Sequence, residues 1–390
     1  MALDPLLRWR AEFPILDTCT YLVSHSLGAM PKRAREYLTR FADEWDRRGV
    51  RAWHEGWWEM GRETGNLLAP ILGAAANTIT MHQNVTIAQA TVASCFSFEG
   101  MRRKIVLQDL DFPTNHYLFE GFRRYGAEIV CVRSDDAIRA PMDRLLEAID
   151  ERTVLVPLSL VLFRSACLQD VRPIVEKAHR VGARVVLDVY QAAGAIPIDL
   201  ATLGVDFAVG GSVKWLCGGP GAGYLYVRPD LIGTLRPSMV GWAGHTSPFG
   251  FETGAIRYAD GIERFQSGTP NVPALYAARA GYEVVAEVGV PAIRARSLRL
   301  TGRLLDAARQ HNWRLNTPTA DQERGGSVVI DVPDGAHVTD QLLRQDVIVD
   351  YRPGAGIRFA PHFYNSEEDV DRAIRTLIAI LADSGPQGRK

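Results

Sequence analysis

The sequence predicts an α/β fold in which a large domain with a mostly parallel sheet is joined to a smaller α+β C-terminal domain. Between about residues 65 and 230, short apolar runs alternate with longer amphipathic stretches. Strands separated by helices favour right-handed βαβ units and a parallel sheet. The last third differs, because two long helical patterns are followed by three short strands and a final helix. The 390-residue length also favours two domains, at roughly 100–200 residues per domain.

The strands of the large domain are predicted at short apolar runs, most of them rich in Val, Ile and Leu. In chain order, these runs are Lys104–Gln108, Ala127–Val132, Thr153–Leu158, Arg184–Val189, Asp206–Gly210 and Ala222–Val227. Helical patterns lie between several of them, at Met142–Ile149 and Val171–Val181. Ligands of such sheets bind at the carboxyl ends of the strands, so the segments that follow the strands are expected to carry the chemistry.

The smaller domain is predicted to contain three helices and three strands. The helices are expected at Pro273–Val288, Ala292–His311 and Ser366–Leu381, and the strands at Gly326–Val332, Asp346–Tyr351 and Ile357–Ala360. The amphipathic segment Pro31–Arg48 is expected to pack with this domain. We therefore divide the chain into an N-terminal segment (1–48), a large domain (49–270) and a small domain (271–390), with a cleft between the two lobes.

Composition and charge exclude several classes of partner. Lys+Arg 44 against Asp+Glu 45 gives a net charge of −1, so no overall positive field attracts nucleic acid or an acidic membrane. No run approaches the ~18 apolar residues of a membrane span, and Asp4, Arg8 and Arg10 interrupt what would be the core of a secretory signal. The five cysteines are widely spread without a CxxC pair. We therefore predict a cytoplasmic protein with reduced thiols and no metal site.

Lys214 is the first candidate for chemistry. It is one of only five lysines, and it lies in the glycine-rich segment Gly210–Gly223 (GGSVKWLCGGPGAG), directly after an apolar strand. Desolvation by Trp215 and Leu216 is expected to lower the pKa of this lysine, and a neutral amine forms a Schiff base with an aldehyde or ketone. Taken alone, such a lysine also fits a structural role or a phosphate contact.

Asp188 is the second candidate. It ends the strand RVVLD, twenty-six residues before Lys214, where the rest of the strand is too apolar to favour a charge. A carboxylate at that depth needs a partner, and a protonated pyridine nitrogen is a suitable one. A helix cap or a salt bridge is the alternative. The order of Asp188 and Lys214 along the chain favours the cofactor.

Seven segments together carry a family resemblance. They are Tyr21–Pro31, Asp111–Tyr117, Asp188–Gly194, Lys214–Gly221, Gly241–His245, Gly268–Asn271 and Ile357–Pro361. In this ordered set the chain resembles the class V aminotransferase group of fold-type I pyridoxal 5′-phosphate (PLP) enzymes, and most of all the kynureninase-like branch. The resemblance implies the fold-type I transferase fold, PLP as cofactor, an amino-acid substrate, and a homodimer with active sites at the interface.

The resemblance also implies which residues hold the cofactor. Lys214 would be the catalytic Schiff-base lysine, Asp188 the partner of the pyridine nitrogen, and Phe112 a ring stacked on the cofactor. The other cofactor-binding candidates would contact the phosphate (Val85, Thr86, Ser212), contact either the phenolic oxygen or the lysine (Gln191), or serve the neighbouring subunit (Trp242, Thr269). Without the resemblance, Phe112 fits a core position equally well, Trp242 is interpreted as a packing residue, and Thr86 fits an ordinary helix N-cap equally well.

A further set of residues is expected to bind the substrate. Arg358 lies on the strand IRFAP, where it either points to solvent or grips an α-carboxylate in the cleft, and the resemblance favours the carboxylate. The other candidates are polar or aromatic side chains of the matched segments and of Arg51–Trp58 (RAWHEGWW): His25, Ser26, Asn115, Trp53 and His54. For Arg51–Trp58, an amphipathic helix that buries Trp53 and Trp57 is the alternative.

The chain departs from kynureninases at positions that matter for the reaction. Val213 stands where they usually have a tyrosine, Gln191 where they have a histidine, and Asn115 where aspartate is common; the stretch Leu158–Phe163 lacks a histidine often found there. These departures disfavour hydrolysis of an aryl ketone. We therefore predict a PLP-dependent lyase that acts on an L-amino acid with a β-substituent, such as a cysteine S-conjugate in bacterial specialised metabolism.

In the predicted reaction, Lys214 removes the α-proton and the β-substituent then leaves. Kynureninase-type hydrolysis, decarboxylation-coupled oxidative deamination, and transamination or epimerisation are alternatives. Cysteine desulfuration is less favoured, because none of the five cysteines clearly lies on a mobile loop. A PLP-binding regulator or scaffold without turnover is the non-enzymatic alternative.

Overall fold

The computed structural model describes residues 4–383. Its strands, in chain order, are β1 (Thr20–Tyr21), β2 (Ile79–His82), β3 (Lys104–Gln108), β4 (Glu128–Val132), β5 (Thr153–Ser159), β6 (Arg184–Asp188), β7 (Phe207–Gly211), β8 (Gly223–Val227), β9 (Arg314–Leu315), β10 (Val328–Asp331), β11 (Val347–Ile348), β12 (Asp350–Arg352) and β13 (Gly356–Phe359). The six strands predicted for the large domain are all present, with ends that differ by at most one residue.

Helices separate most of these strands. They are α1 (Lys32–Arg48), α2 (Met60–Leu68), α3 (Val85–Ala93), α4 (Pro113–Gly121), α5 (Met142–Ala148), α6 (Arg172–Arg180), α7 (Leu200–Leu203), α8 (Pro229–Ile232), α9 (Val272–Val288), α10 (Val290–Gln310), α11 (Gly335–Arg344) and α12 (Glu367–Asp383). The predicted helices agree with α1, α5, α6, α9, α10 and α12. Short 3-10 turns connect several of the elements.

Strands β2 to β8 form a seven-stranded sheet in the order β2-β8-β7-β6-β5-β3-β4. Only β8 runs against its neighbours, since it pairs antiparallel with both β2 and β7. The prediction of a mostly parallel sheet is therefore confirmed. Alternate residues of each strand face opposite sides of the sheet, and both sides are covered by buried apolar side chains.

Two smaller sheets involve the C-terminal region. One is four-stranded and antiparallel, in the order β12-β13-β10-β9, and the other pairs β1 in parallel with β11. The single strand predicted at Asp346–Tyr351 is wrong, because the chain changes partner at Val349. Before this residue β11 bonds to the N-terminal segment, whereas after it β12 bonds to β13.

The N-terminal segment contacts the C-terminal elements at several points. Besides the β1–β11 pair, the Arg10 guanidinium lies 2.6 Å from the Asp369 carboxylate of α12, and the N–H of Ala360 donates to Leu22 O at 2.7 Å. Tyr37 of α1 donates to Glu283 of α9 at 2.6 Å. The boundaries 1–48, 49–270 and 271–390 stay a prediction. Within residues 4–383, no helix combines the length and apolar character that crossing a membrane requires.

Two buried histidines predict a loss of stability in mild acid. Burial lowers the pKa of His82 and of His362 to about 4, against about 6.5 in an unfolded chain. Folding therefore favours the neutral rings, so their contribution is complete above pH 6.5 and is lost as the pH falls towards 4. At pH 5 the loss is about 2 kcal/mol for each ring. Urea unfolding at pH 7 and at pH 5 measures this decrease in the free energy of unfolding.

The variant His82→Gln tests this expectation, because Nε2 of His82 has no hydrogen-bond partner among the described residues. The decrease in the free energy of unfolding between pH 7 and pH 5 should shrink by about 2 kcal/mol. The matched control is His311→Gln, since His311 is exposed. An equal pH dependence in wild type and His82→Gln would refute the expectation.

Candidate active site

A cavity of about 240 Å³ lies at the carboxyl ends of the central parallel strands. Residues from five segments line it: Asn84, Val85, Thr86, Phe112, Thr114, Ser159, Val161, Phe163, Asp188, Tyr190, Gln191 and Lys214. Ser159 ends β5, Asp188 ends β6, and Lys214 follows β7 by three residues. Functional side chains were expected at this edge of the sheet, and the structure brings Lys214 and Asp188 together there.

The Lys214 amine lies between two aromatic rings. Its Nζ atom is 4.3 Å from the ring centroid of Tyr190 and 5.6 Å from that of Phe112. Burial lowers the pKa of Lys214, and the negative charge of Asp188 opposes that shift. Within residues 4–383, Nζ forms no salt bridge.

The expectation that Trp215 and Leu216 desolvate this amine is wrong. Both are buried in the hydrophobic core, and the indole N–H of Trp215 donates to Gln191 Oε1 at 3.0 Å. The side chains against Lys214 instead come from the loops after β3 and β6, as Phe112 and Tyr190. An adjacent residue in sequence is not the neighbour here, because the chain turns sharply after β7.

Asp188 is buried and has few partners. Its Oδ1 atom accepts one hydrogen bond from the Tyr190 N–H at 2.8 Å, and no ion pair reaches it in the described part of the chain. Burial raises the pKa of Asp188, while that N–H and the Lys214 charge lower it. Asp188 is neither a helix cap nor part of a salt bridge. A cationic group in the cavity would supply the partner that a buried carboxylate needs.

The N-terminus of α3 forms another wall of the cavity. Asn84 is the N-cap, and its Oδ1 accepts from the Ile87 N–H at 3.1 Å. The N–H groups of Val85 and Thr86 belong to the first turn, where a helix has no internal partners for them. Thr86 is therefore not the N-cap. Exposed N–H groups and the helix dipole together suit an anionic group such as a phosphate.

These groups together fit one kind of ligand. The amine suits an aldehyde, the buried carboxylate suits a protonated ring nitrogen, and the N-terminus of α3 suits a phosphate. The Phe112 side chain is 43% exposed and presents its ring to the cavity. An aromatic aldehyde that carries a phosphate meets all four features, so the cavity fits PLP.

Gln191 and Ser212 were predicted to contact the cofactor, but both side chains form hydrogen bonds with other groups of the protein. Gln191 lines the cavity, but its Nε2 donates to His25 O at 3.0 Å and its Oε1 accepts from Trp215. Ser212 does not reach the cavity. Its hydroxyl is buried between Ala222 O at 2.7 Å and the Tyr282 hydroxyl at 2.6 Å.

Arg358 lies in the interior of the protein, only 2% exposed, rather than towards solvent. Its Nε and Nη2 donate to the two carboxylate oxygens of Asp350 at 2.7 and 2.5 Å, and its Nη1 donates to Phe163 O at 2.7 Å. Phe163 belongs to the cavity wall, so the guanidinium lies next to that wall. Three of the five N–H bonds of Arg358 are thus assigned, and two are left for a ligand.

His25 completes this charged cluster. Its Nε2 lies 3.0 Å from Asp350 Oδ1. Burial lowers the pKa of His25 to about 4, so the imidazole is neutral at pH 7. Although burial acts in the opposite direction, the hydrogen bonds from His25 and Arg358 hold the pKa of Asp350 well below its usual range. Asp350 therefore stays ionised.

The other predicted substrate contacts are not at the cavity. Asn115 is buried and accepts from Gln89 Nε2 at 2.9 Å, and Ser26 is exposed. Trp53 packs edge-on against Trp57 with 5.4 Å between centroids, and His54 lies 5.9 Å from the Phe249 ring.

The alternative of an amphipathic helix over Arg51–Trp58 is also wrong. A 3-10 turn covers Gly49–Trp53, and turns continue to Glu59, the residue before α2. Gly56 has φ +149°, which no helix permits. Trp57 is nevertheless buried, as that alternative expected.

Trp242 and Thr269 lie outside the cavity of their own chain. Trp242 is 39% exposed and contacts Trp58 and Phe249, with ring centroids 4.9 and 5.8 Å away. Thr269 is exposed. Their role towards a neighbouring subunit stays a prediction.

Comparison with known proteins gives one family for most of the chain. Residues 23–373 match the family model described as Aminotransferase class-V. The kynureninase of Deinococcus radiodurans is 33% identical over 401 residues, which cover 99% of this chain and 96% of that protein. The kynureninase of Pseudomonas fluorescens is 30% identical over 395 residues, which cover 97% and 93%.

Solved structures agree with the fold. A cysteine desulfurase from Thermococcus onnurineus NA1 superposes with a TM-score of 0.85 at 19% identity and covers 96% of this chain and 98% of its own. A mutant of C-DES with glycine covalently linked to the PLP cofactor superposes with a TM-score of 0.85 at 22% identity, over 94% and 98%.

The fold and the cavity define the class, a PLP-dependent enzyme of fold type I. The chain belongs to the class V aminotransferase family, and its similarity to kynureninases extends over nearly its whole length. It acts on amino acids.

Sequence reasoning missed several residues of this site, among them Tyr190 and Asp350. Tyr190 lies within the matched segment Asp188–Gly194, and Asp350 lies on the strand next to that of Arg358. The cross-strand pair Asp350–Arg358 could have been found only from the register of β12 and β13.

Proposed function

We propose that the protein catalyses β-elimination from an L-amino acid with a leaving group at Cβ, with a cysteine S-conjugate as the substrate class. The observation that carries this proposal is the composition of the cavity wall, where Lys214 is the one lysine or histidine among the described lining residues. A single amine suffices for this reaction, because it accepts the α-proton and can return a proton to the departing sulfur. The overall conversion takes a conjugate and water to a thiol, pyruvate and ammonia.

Four residues of the cavity would have separate roles in this reaction. When bound, PLP supplies an electron sink that acidifies the α-proton. Lys214 holds the cofactor covalently and moves the α-proton, and its lowered pKa keeps a fraction of free amine near neutral pH. Asp188 keeps the ring nitrogen protonated from its buried position. Val85 and Thr86 bind the phosphate through the first turn of α3.

Arg358 would bind the α-carboxylate of the substrate. Asp350 accepts from Nε and from one N–H of Nη2, and Phe163 O accepts from one N–H of Nη1. The second N–H of Nη1 and that of Nη2 remain to bind another carboxylate. The guanidinium donates to Phe163 O, and Phe163 lines the cavity that contains Lys214, so the α-carboxylate would bind at this wall of the cavity. The substrate amino group is thereby directed towards the cofactor.

Kynurenine hydrolysis is the second candidate, and similarity to kynureninases over nearly the full length favours it. Hydrolysis of an aryl ketone needs a water that is activated at the γ-carbon. Val213 offers no hydroxyl, and the Gln191 amide is held by His25 O and Trp215. These features support elimination over hydrolysis.

We also propose a homodimer in which Trp242 and Thr269 of one subunit complete the cavity of the other. Their exposure on the surface is consistent with this arrangement. A cytoplasmic location and a role in specialised metabolism complete the proposal.

A substrate panel with purified holoenzyme tests the proposed reaction. S-alkyl-L-cysteines should yield the free thiol, pyruvate and ammonia in equal amounts, as measured by mass spectrometry and a coupled assay. Anthranilate and alanine from L-kynurenine would instead establish hydrolysis, and carbon dioxide with an aldehyde would establish oxidative decarboxylation. Absorbance changes without any product would contradict both candidate reactions.

A further inference from the structure

We propose that the Tyr190 hydroxyl donates a hydrogen bond to the cofactor phosphate held at the N-terminus of α3. Tyr190 would thereby supply the hydroxyl group that Val213 lacks. This inference rests on the proposed cofactor site of Lys214, Asp188 and α3.

The ring of Tyr190 is fixed between the amine and the sheet. Its centroid lies 4.3 Å from Lys214 Nζ, and its own N–H is bonded to Asp188. A Cβ atom at Gly211 would lie only 2.5 Å from the Tyr190 hydroxyl oxygen, so the hydroxyl lies directly over the end of β7. A side chain at position 211 would expel the ring.

Strand register places this hydroxyl beside α3. Gly211 of β7 is the antiparallel partner of Gly223 of β8, and paired residues point to the same face of a sheet. A Cβ atom at Gly223 would lie 2.7 Å from Asn84 Cα, so the N-cap of α3 lies over that position. Paired Cβ positions are about 5 Å apart. The phenol is therefore next to the N-terminus of α3 and on the same face.

The hydroxyl is available as a donor. Burial, reinforced by the charge of Asp188, raises the pKa of Tyr190 to about 12, so the phenol stays protonated at neutral pH. Among the described residues, Tyr190 forms a hydrogen bond through its backbone N–H but none through its hydroxyl. A phosphate oxygen at α3 would be its acceptor.

The position Val213 explains why another residue is needed. Tyrosine directly before the Schiff-base lysine is usual in kynureninases, whereas Val213 of this chain offers no hydrogen-bond donor from its side chain. Tyr190 comes from the loop after β6 rather than from the segment before the lysine. A phenolic hydroxyl would thus reach the cofactor phosphate from the end of the strand next to β7.

The test compares two ligands that differ only in the phosphate. Dissociation constants of PLP and of pyridoxal are measured by absorbance on apo wild type and on apo Tyr190→Phe, which keeps the ring. Loss of a hydrogen bond to a charged group should weaken PLP binding by about 10- to 100-fold. Pyridoxal binding should stay within about twofold of wild type, since this ligand has no phosphate.

Tyr224→Phe is the matched control. Tyr224 is fully buried, its hydroxyl lies over Gly210 on the opposite face of the sheet, and that hydroxyl has no partner among the described residues. The Tyr224→Phe variant should bind PLP and pyridoxal with the same affinities as wild type. Inorganic phosphate should also compete less well with PLP in Tyr190→Phe than in wild type.

Two results would overturn the inference. One is unchanged PLP affinity in Tyr190→Phe, and the other is an equal loss for PLP and pyridoxal, which would assign Tyr190 to the ring rather than to the phosphate. Failure of the wild type to bind PLP would instead refute the proposed cofactor site itself.

Discussion

The Lys214→Arg variant is expected to lose about 10⁴-fold in turnover, which is the largest effect that a single substitution should have. The amine lies in a buried cavity with Phe112 and Tyr190 on either side, and its pKa is lowered by burial. Arginine keeps the positive charge and is effectively always protonated, so it neither forms the covalent link nor accepts the α-proton. Steady-state rates on the substrate that wild type converts would measure the loss.

The control is Lys177→Arg, because Lys177 lies on α6, which contributes no residue to the cavity wall. Its turnover should stay within about twofold of wild type. Lys214→Ala offers a second check, since ethylamine in the medium should restore part of the α-proton transfer. Wild-type rates in Lys214→Arg would rule out the proposed role of this residue.

Arg358→Met is expected to raise KM by at least about 100-fold, with a smaller decrease in kcat. Losing one partner of a buried, hydrogen-bonded charge pair costs about 2–5 kcal/mol, much of it from the charge left behind. Here the substrate carboxylate loses its bidentate partner, and Asp350 also loses its contact with Arg358. KM and kcat for the S-alkyl-cysteine, with circular dichroism as a check of folding, would measure the effect.

Arg352→Met is the matched control for this change. Arg352 also lies against Asp350, with its Nη2 3.0 Å from a carboxylate oxygen, but its side chain is 40% exposed, whereas Arg358 is buried and also donates to Phe163 O. Exposed ion pairs contribute only about 0–1 kcal/mol, so KM should change by no more than about fivefold. If both variants raise KM equally, general charge rather than Arg358 itself recruits the substrate.

The sequence was sufficient to predict the framework of the site. Strands β5, β6 and β7 are nearly continuous apolar runs, which buried parallel strands require, and Asp188 and Lys214 follow them in an order that brings both to one edge. Asn84 lies just before α3, and the sequence also predicted that the start of this helix, at Val85 and Thr86, binds the cofactor phosphate. These features depend on local pattern and on a sheet rule that holds generally.

What the sequence did not reveal depends on contacts between distant segments. Trp215 turns into the core because Gln191 accepts its indole N–H, which no local pattern encodes. The Arg358–Asp350 pair depends on the register of β12 and β13, and the position of the Tyr190 phenol depends on a glycine at position 211. The break at Val349 arises because β11 finds its partner in β1, more than 300 residues away.

Borohydride reduction of the holoenzyme, followed by peptide mapping, tests the central claim most directly. This treatment fixes an imine as a stable secondary amine on the residue that formed it. We expect the reduced cofactor on the peptide that contains Lys214, at one per chain, and no label in Lys214→Arg. A label on any of the other four lysines, or a holoenzyme whose cofactor is released intact after reduction, would contradict a covalent site at Lys214.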